Sequence, residues 1–189
     1  MHRQLFLPII FTLLVIQLSC TDQQETVSNP RIDGLLALAE NIQHTQSDTA
    51  LQIIREALET SKTEEYTGGI AKASHLMGNL LYQMGGLSHS IEHLNRALAI
   101  YQQNSQLQQQ GHVNLTLAKV YQRSGNQNIS FLFLHQAREL FSKVNDEAGM
   151  SMVLSNLGHF YEKSEQYDSA LLFQKRALEL LQRIDEQSG

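Results

Sequence analysis

One cysteine, two prolines and no tryptophan stand in a chain of 189 residues, and each shortage removes a class of protein. A lone thiol, Cys20, closes no intramolecular disulfide and shares no metal site with a second thiolate, so disulfide-stapled and zinc-ribbon folds are excluded. So few prolines leave long stretches free to be helical. Lysine and arginine number 14 against 19 aspartates and glutamates, a formal charge of −5, and a nucleic-acid backbone would demand the opposite excess. No G-x-S-x-G, H-E-x-x-H or serine–lysine arrangement is present, and Gly68-Gly69 and Gly85-Gly86 lack the spacing and preceding strand of a phosphate loop. No nucleophile, acid–base pair or cofactor site can be nominated, so the expectation is a binding protein and not an enzyme. What is present is a globular share of hydrophobic residues, 42%, enough for one compact domain or one short repeat array.

The first 19 residues read as an export signal. Arg3 and the amino terminus precede an apolar run from Leu5 to Leu18, interrupted only by Thr12 and Gln17, of signal-peptide length and short for a span of about 20 residues. The run ends Gln17-Leu18-Ser19-Cys20, a small residue followed by cysteine, which resembles the processing box of bacterial lipoproteins. Gln17 departs from it, standing where that box opens with an aliphatic residue. The resemblance implies cleavage before Cys20 and lipidation of that residue; ordinary secretion and an uncleaved signal anchor are the alternatives. All three place the remainder outside the cytoplasm, in the cell envelope or beyond. Residues 20–30, with the polar stretch TDQQETVSNP, have too little apolar surface to bury themselves and suit a tether.

From Arg31 onward the chain repeats itself. MGNLLYQMG from Met77, LAKVYQRSG from Leu117 and LGHFYEKSE from Leu157 are offset by 40 residues each, and Ala57, Ala97, Ala137 and Ala177 recur at the same interval. Four repeats, about 31–70, 71–110, 111–150 and 151–189, each divide into two apolar stripes of helical spacing. Gly85-Gly86 and Gly125-Asn126 mark helix ends, and Glu165-Gln166 takes that place in the fourth repeat with poorer turn chemistry. Gly78, Ala118 and Gly158 sit mid-helix, where glycine costs about 1 kcal/mol against alanine; a neighbour must approach them closely.

The pattern L-G-x-x-Y followed by paired alanines, carried by Leu157, Gly158, Tyr161, Ala170 and Ala177 and by Leu117, Ala118, Tyr121, Leu134 and Ala137, resembles the tetratricopeptide repeat. The departures are unfilled tryptophan and proline positions, Gln174 at the large position of the fourth repeat, Tyr82 one residue late, and a degenerate first repeat. The period of 40 exceeds the family's 34 or so, which implies longer helices. HEAT and armadillo arrays share the period but not the tyrosine and alanine offsets. The resemblance implies an all-α solenoid of four antiparallel helix pairs whose first helices line a concave groove.

Read by three-and-four spacing, the side of those first helices opposite the core carries Lys72, His75, Asn79, Tyr82 and Gln83, then His112, Lys119, Gln122 and Arg123, then Ser155, His159, Glu162 and Lys163. Four fixed positive charges face one negative, which favours an acidic or carboxylate-ended protein or peptide; ordinary solvated helix surface is the plain alternative. His89 and His93 form an i, i+4 pair with no third ligand, so no metal is expected. Asn114-Leu-Thr and Asn128-Ile-Ser match glycosylation acceptors, the second with Ser130 at a buried small position. The function expected is therefore an envelope-localised, lipid-anchored scaffold or adaptor for a protein or peptide. The alternative is the sensor region of a larger receptor, a histidine kinase or transcription regulator, of which this chain is the N-terminal part. Leu171, Leu172, Ala177, Leu178 and Leu181 form an apolar edge with no polar-faced cap after it, an expected surface for self-association or for further chain.

Overall fold

The computed structural model describes residues 28–188; the apolar run, Cys20 and the greater part of the expected tether lie outside the described residues. Eight helices follow one another: α1 (Pro30–Ile42), α2 (Ser47–Thr63), α3 (Thr67–Gln83), α4 (Leu87–Gln103), α5 (Leu107–Arg123), α6 (Gln127–Lys143), α7 (Glu147–Lys163) and α8 (Tyr167–Ser188). No strand occurs among the described residues. The chain is an all-α solenoid of antiparallel helix pairs. The pairs begin at Thr67, Leu107 and Glu147, so frames opening at 71, 111 and 151 start just past the first turns of α3, α5 and α7.

Beneath the 40-residue repeat lies a shorter one. From Ser47 to Tyr167 each helix starts 20 residues after the last, and every turn between them is built alike. Residues Glu65, Gly85, Ser105, Gly125, Asn145 and Glu165 all have φ between 53° and 87°. The residue after each donates its N–H back to the carbonyl five positions earlier, as in Gly86 to Leu81 (2.8 Å) and Gln166 to Tyr161 (2.9 Å). This is the Schellman closure, which satisfies carbonyls that the helix end would otherwise leave unpaired. Only two of the six positions carry glycine, so the regularity of the turns is set by backbone closure and not by residue type.

Within a pair, close approach rests on the mid-helix small residues. A Cβ on Gly78 would lie 2.6 Å from Cγ of Leu94, and one on Gly158 equally near Cγ of Gln174, so Gln174 fills the place leucine holds in repeats two and three. Ser90 Oγ donates to the Gly78 carbonyl at 2.7 Å and Ser130 Oγ to that of Ala118 at 2.8 Å. These bonds satisfy buried hydroxyls and pin the starts of α4 and α6 to the middles of their partners; Ser130 is thus inside the fold. Tyr121 stacks on Phe133 (5.5 Å between centroids) and Tyr161 on Phe173 (5.2 Å), the same contact one repeat apart.

Between pairs, Phe141 is fully buried and its ring lies against both Gly111 and Gly149, joining α6 to its own repeat and to the next. Among the described residues the helices touch their chain neighbours, and beyond those only odd-numbered helices touch each other: α1 with α3, α3 with α5, α5 with α7. That asymmetry closes the odd side and spreads the even side, so the odd helices line the concave face.

Candidate functional site

The concave face holds a cavity of about 640 Å³ lined by Lys72, His75, Asn79, Tyr82, Gln83, His112 and Lys119. A second, of about 690 Å³, continues along the array and is lined by Tyr82, Lys119, Gln122, His159, Glu162 and Lys163. Tyr82 and Lys119 border both. Of the residues assigned to this face from the sequence, Arg123 and Ser155 line neither cavity.

Tyr82 is there because of its register. At Leu81, one residue earlier, it would take the core position of Tyr121 and Tyr161; a single step turns a helical side chain by about 100°, and Tyr82 faces the groove instead. The Arg123 guanidinium lies over its ring, 5.6 Å from the centroid, and donates to the Tyr82 carbonyl at 2.9 Å. Arg123 therefore ties α5 to the end of α3, a cation–π contact combined with a C-terminal cap, and its charge is already engaged.

Further groove residues come from elements that sequence spacing did not point to. Asp33 and Glu40 of α1 and Tyr66 of the α2–α3 turn line the first cavity, and Tyr101 enters from α4. The degenerate first repeat hid the two acids, and Tyr101 belongs to an even helix whose end reaches across. Asp33 accepts from the Tyr66 hydroxyl at 2.8 Å; burial first, then this carboxylate, pushes the Tyr66 phenol up. Glu40 pairs with Lys72 at 3.1 Å. The four-to-one excess of positive charge is thereby reduced: Lys72 is balanced by Glu40 and Arg123 is engaged by Tyr82, which leaves Lys163, exposed at the rim of the second cavity, and Lys119.

Lys119 remains. It is half-buried, desolvation holds its ammonium below the usual lysine range, and no carboxylate among the described residues lies within ion-pair distance of it. A partly desolvated cation without a counter-charge is costly in a purely structural role, and it stands where the two cavities meet. Beside it the groove is neutral. Burial, with His112 and Lys72 nearby, pushes His75 down to about 4, and its ring meets Tyr101 edge-on at 6.2 Å. His112 is also held low by burial, against the pull of Asp146 4.0 Å away. Burial raises the Asp146 carboxyl, but bonds from the Gly149 N–H and the Gln108 amide outweigh it and leave a net lowering. Both imidazoles are uncharged at neutral pH.

Elsewhere, His89 and His93 line a surface cavity with Arg55, Glu59, Lys62 and Arg96, where Lys62 pairs with Glu59 at 2.7 Å and Arg96 with Glu92 at 3.7 Å. Among the described residues no group of three or more histidine, cysteine or acidic side chains is placed to hold one, and no helix is long and apolar enough to cross a membrane.

Comparison with known proteins agrees with this architecture. A family model described as Tetratricopeptide repeat matches residues 151–184. Among solved structures, BtubC (BKLC) from P. vanneervenii superposes with a TM-score of 0.70 at 16% identity, over 84% of this chain and 67% of that one. A Podosopora anserina structure, described as putative kinesin light chain nearly identical TPR-like repeats, gives 0.64 at 16% identity, over 83% and 78%. MamA gives 0.58 at 17% identity, over 82% and 81%. At these identities the likeness is one of fold, that of tetratricopeptide-like helical repeats. No curated protein matches the sequence.

Proposed function

We propose that this chain is an adaptor anchored outside the cytoplasm, which holds an extended segment of a protein partner along its concave face and grips a carboxylate of that segment with Lys119. The observation that carries this reading is the half-buried, unpaired ammonium of Lys119 at the junction of the two cavities. Stacked repeats supply a preformed surface, so recognition needs no chemistry and little reordering. The neutral His75 and His112 and the ring of Tyr82 leave apolar and hydrogen-bonding walls beside that half-buried charge, a balance suited to a peptide backbone with an acidic or terminal carboxylate.

The test uses fluorescence anisotropy with a set of short peptides carrying a free C-terminal carboxylate and the same peptides amidated. A charge-assisted bond to a desolvated lysine is worth about 1.5–3 kcal/mol, so the free acids should bind about 10- to 100-fold more tightly than the amides. The variant Lys119→Met, which keeps the apolar stem, should erase that difference. Equal binding of acids and amides, or an unchanged preference in the variant, would overturn the assignment. Arg123 is unsuitable as the test position because its loss also loosens α3 against α5. Anchoring is tested separately by palmitate labelling of the protein and of Cys20→Ser; equal labelling of the two would sink it.

A further inference from the structure

Four fixed charges line the first cavity: Asp33, Glu40, Lys72 and Lys119. Glu40 and Lys72 pair at 3.1 Å, which leaves one cation, Lys119, and one anion, Asp33. The Asp33 carboxylate is half-buried, and among the described residues no cation lies within ion-pair distance of it. Arg31, its basic neighbour on α1, is two residues back, about 200° round the helix, and does not line the cavity. Each oxygen of Asp33 accepts one bond from a neutral donor, the Tyr66 hydroxyl at 2.8 Å and the Asn29 N–H at 3.2 Å. A carboxylate offers about four acceptor sites, so about half of its capacity is still open.

The same end of the cavity holds a second acceptor. Gln43 is 8% exposed and lines the cavity. Its Nε2 donates to the Glu40 carbonyl at 3.1 Å, while its buried Oε1 accepts from no group among the described residues. A buried acceptor of this kind calls for a donor. The Tyr66 ring, fixed by its hydroxyl bond to Asp33, lines the cavity as well. A carboxylate, an amide oxygen and an aromatic ring together suit an ammonium or a guanidinium.

We propose that the segment held in the groove is dipolar and lies in one direction: a lysine or arginine of it sits against Asp33 at the α1 end, and its terminal carboxylate meets Lys119 on α5. This rests on the reading of Lys119 as the carboxylate grip. Such a segment answers both uncompensated charges of the cavity at once. Spacing then sets its length. Helices α1 and α5 each pack on α3 and not on each other, and Asp33 falls in the first turn of α1 but Lys119 in the second half of α5. Two helix spacings of about 8–10 Å, with that offset along the axes, separate the charges by roughly 20 Å. An extended chain at about 3.3 Å per residue covers this with about six residues. A free amino acid is too short to reach both, so the occupant is a peptide whose amino-terminal side points towards α1.

The experiment uses the full chain in mild detergent at pH 8, where an ordinary imidazole is uncharged. The probes are peptide pools with a free C-terminal carboxylate, an uncharged dye on the amino terminus, uncharged residues elsewhere, and one lysine moved along the peptide. Read by fluorescence anisotropy, pools with lysine about five to seven residues before the carboxylate should bind about 3- to 10-fold more tightly than pools with norleucine there. Lysine beside the carboxylate should gain nothing. Asp33→Asn should erase the gain and leave the preference for free acids over amides as it was; Tyr66→Phe, which removes a hydrogen bond from Asp33 but not its charge, should keep the gain. Should Asp33→Asn lower the helical circular dichroism, Asp33→Ser takes its place. Binding indifferent to the position of lysine, or a gain that survives the loss of the carboxylate, would overturn the dipolar segment while the acid-over-amide preference still stood. Loss of that preference in the unaltered protein, or no binding by any pool, would remove the Lys119 grip and this proposal with it.

Discussion

Replacing Gly149 by alanine adds one methyl group at the tightest junction of the array. The new Cβ would lie 2.4 Å from Cδ1 and 2.5 Å from Cε1 of Phe141, inside van der Waals contact. The ring cannot retreat, because on its other side a Cβ at Gly111 would already be 2.7 Å from the same ring and Phe141 has no exposed surface. Overpacking of this kind costs about 1–3 kcal/mol. Alanine's helix preference offsets less than the full value of about 1 kcal/mol, since position 149 falls in the first turn of α7. The net expectation is a loss of about 1–2 kcal/mol, read from urea unfolding followed by circular dichroism at unchanged slope. Gly34→Ala is the control of opposite sign: nothing lies within 4 Å of its Cβ, and the exchange in α1 should stabilise by about 0.5–1 kcal/mol. Combining Gly149→Ala with Phe141→Leu should cost about 1 kcal/mol less than the two changes summed. A neutral Gly149→Ala, or strict additivity with Phe141→Leu, would refute the packing argument.

Other outcomes follow from single features. Glu165 holds φ at 59°, so Glu165→Gly should raise stability by about 0.5–1 kcal/mol in the same unfolding assay, whereas Gly125→Ala at φ 84° should lower it by about 1 kcal/mol or more. His75, pushed down to about 4, takes up its proton in the unfolded chain first; stability is full above about pH 6.5 and is lost as pH falls towards 4, by about 1–2 kcal/mol between pH 7 and pH 5. Melts of His75→Gln across that interval should show a shallower decline. Arg123→Ala removes both the bond to the Tyr82 carbonyl and the ring contact, and should cost about 1–2 kcal/mol in unfolding by urea.

The sequence made the helix pairs visible because the same small residues recur where helices meet: Gly78, Ala118 and Gly158 answer to one steric demand in each repeat. It concealed the 20-residue turn, because four of the six left-handed positions carry glutamate, serine or asparagine. Those residues tolerate the conformation only because the closing hydrogen bonds of the helix end hold it, and no residue pattern reports that. In the groove, three-and-four spacing found the face of α3, α5 and α7 that carries the cavity-lining residues, Arg123 and Ser155 excepted. It missed Asp33 and Glu40, since α1 has no clear repeat signature, and with them the neutralisation of Lys72. Charge counted along one face overstated the basic character; pairing across helices decides which cation is free.

The concave face as the binding surface is tested most directly by backbone amide chemical shifts recorded while a carboxylate-ended peptide is added. Shifts concentrated on α3, α5 and α7 around Asn79, Tyr82, His112 and Lys119, and weakened in Lys119→Met to the level the amidated peptide gives, are the result this account predicts. Shifts confined to the even helices, or a pattern on the concave face that Lys119→Met leaves intact, would contradict it.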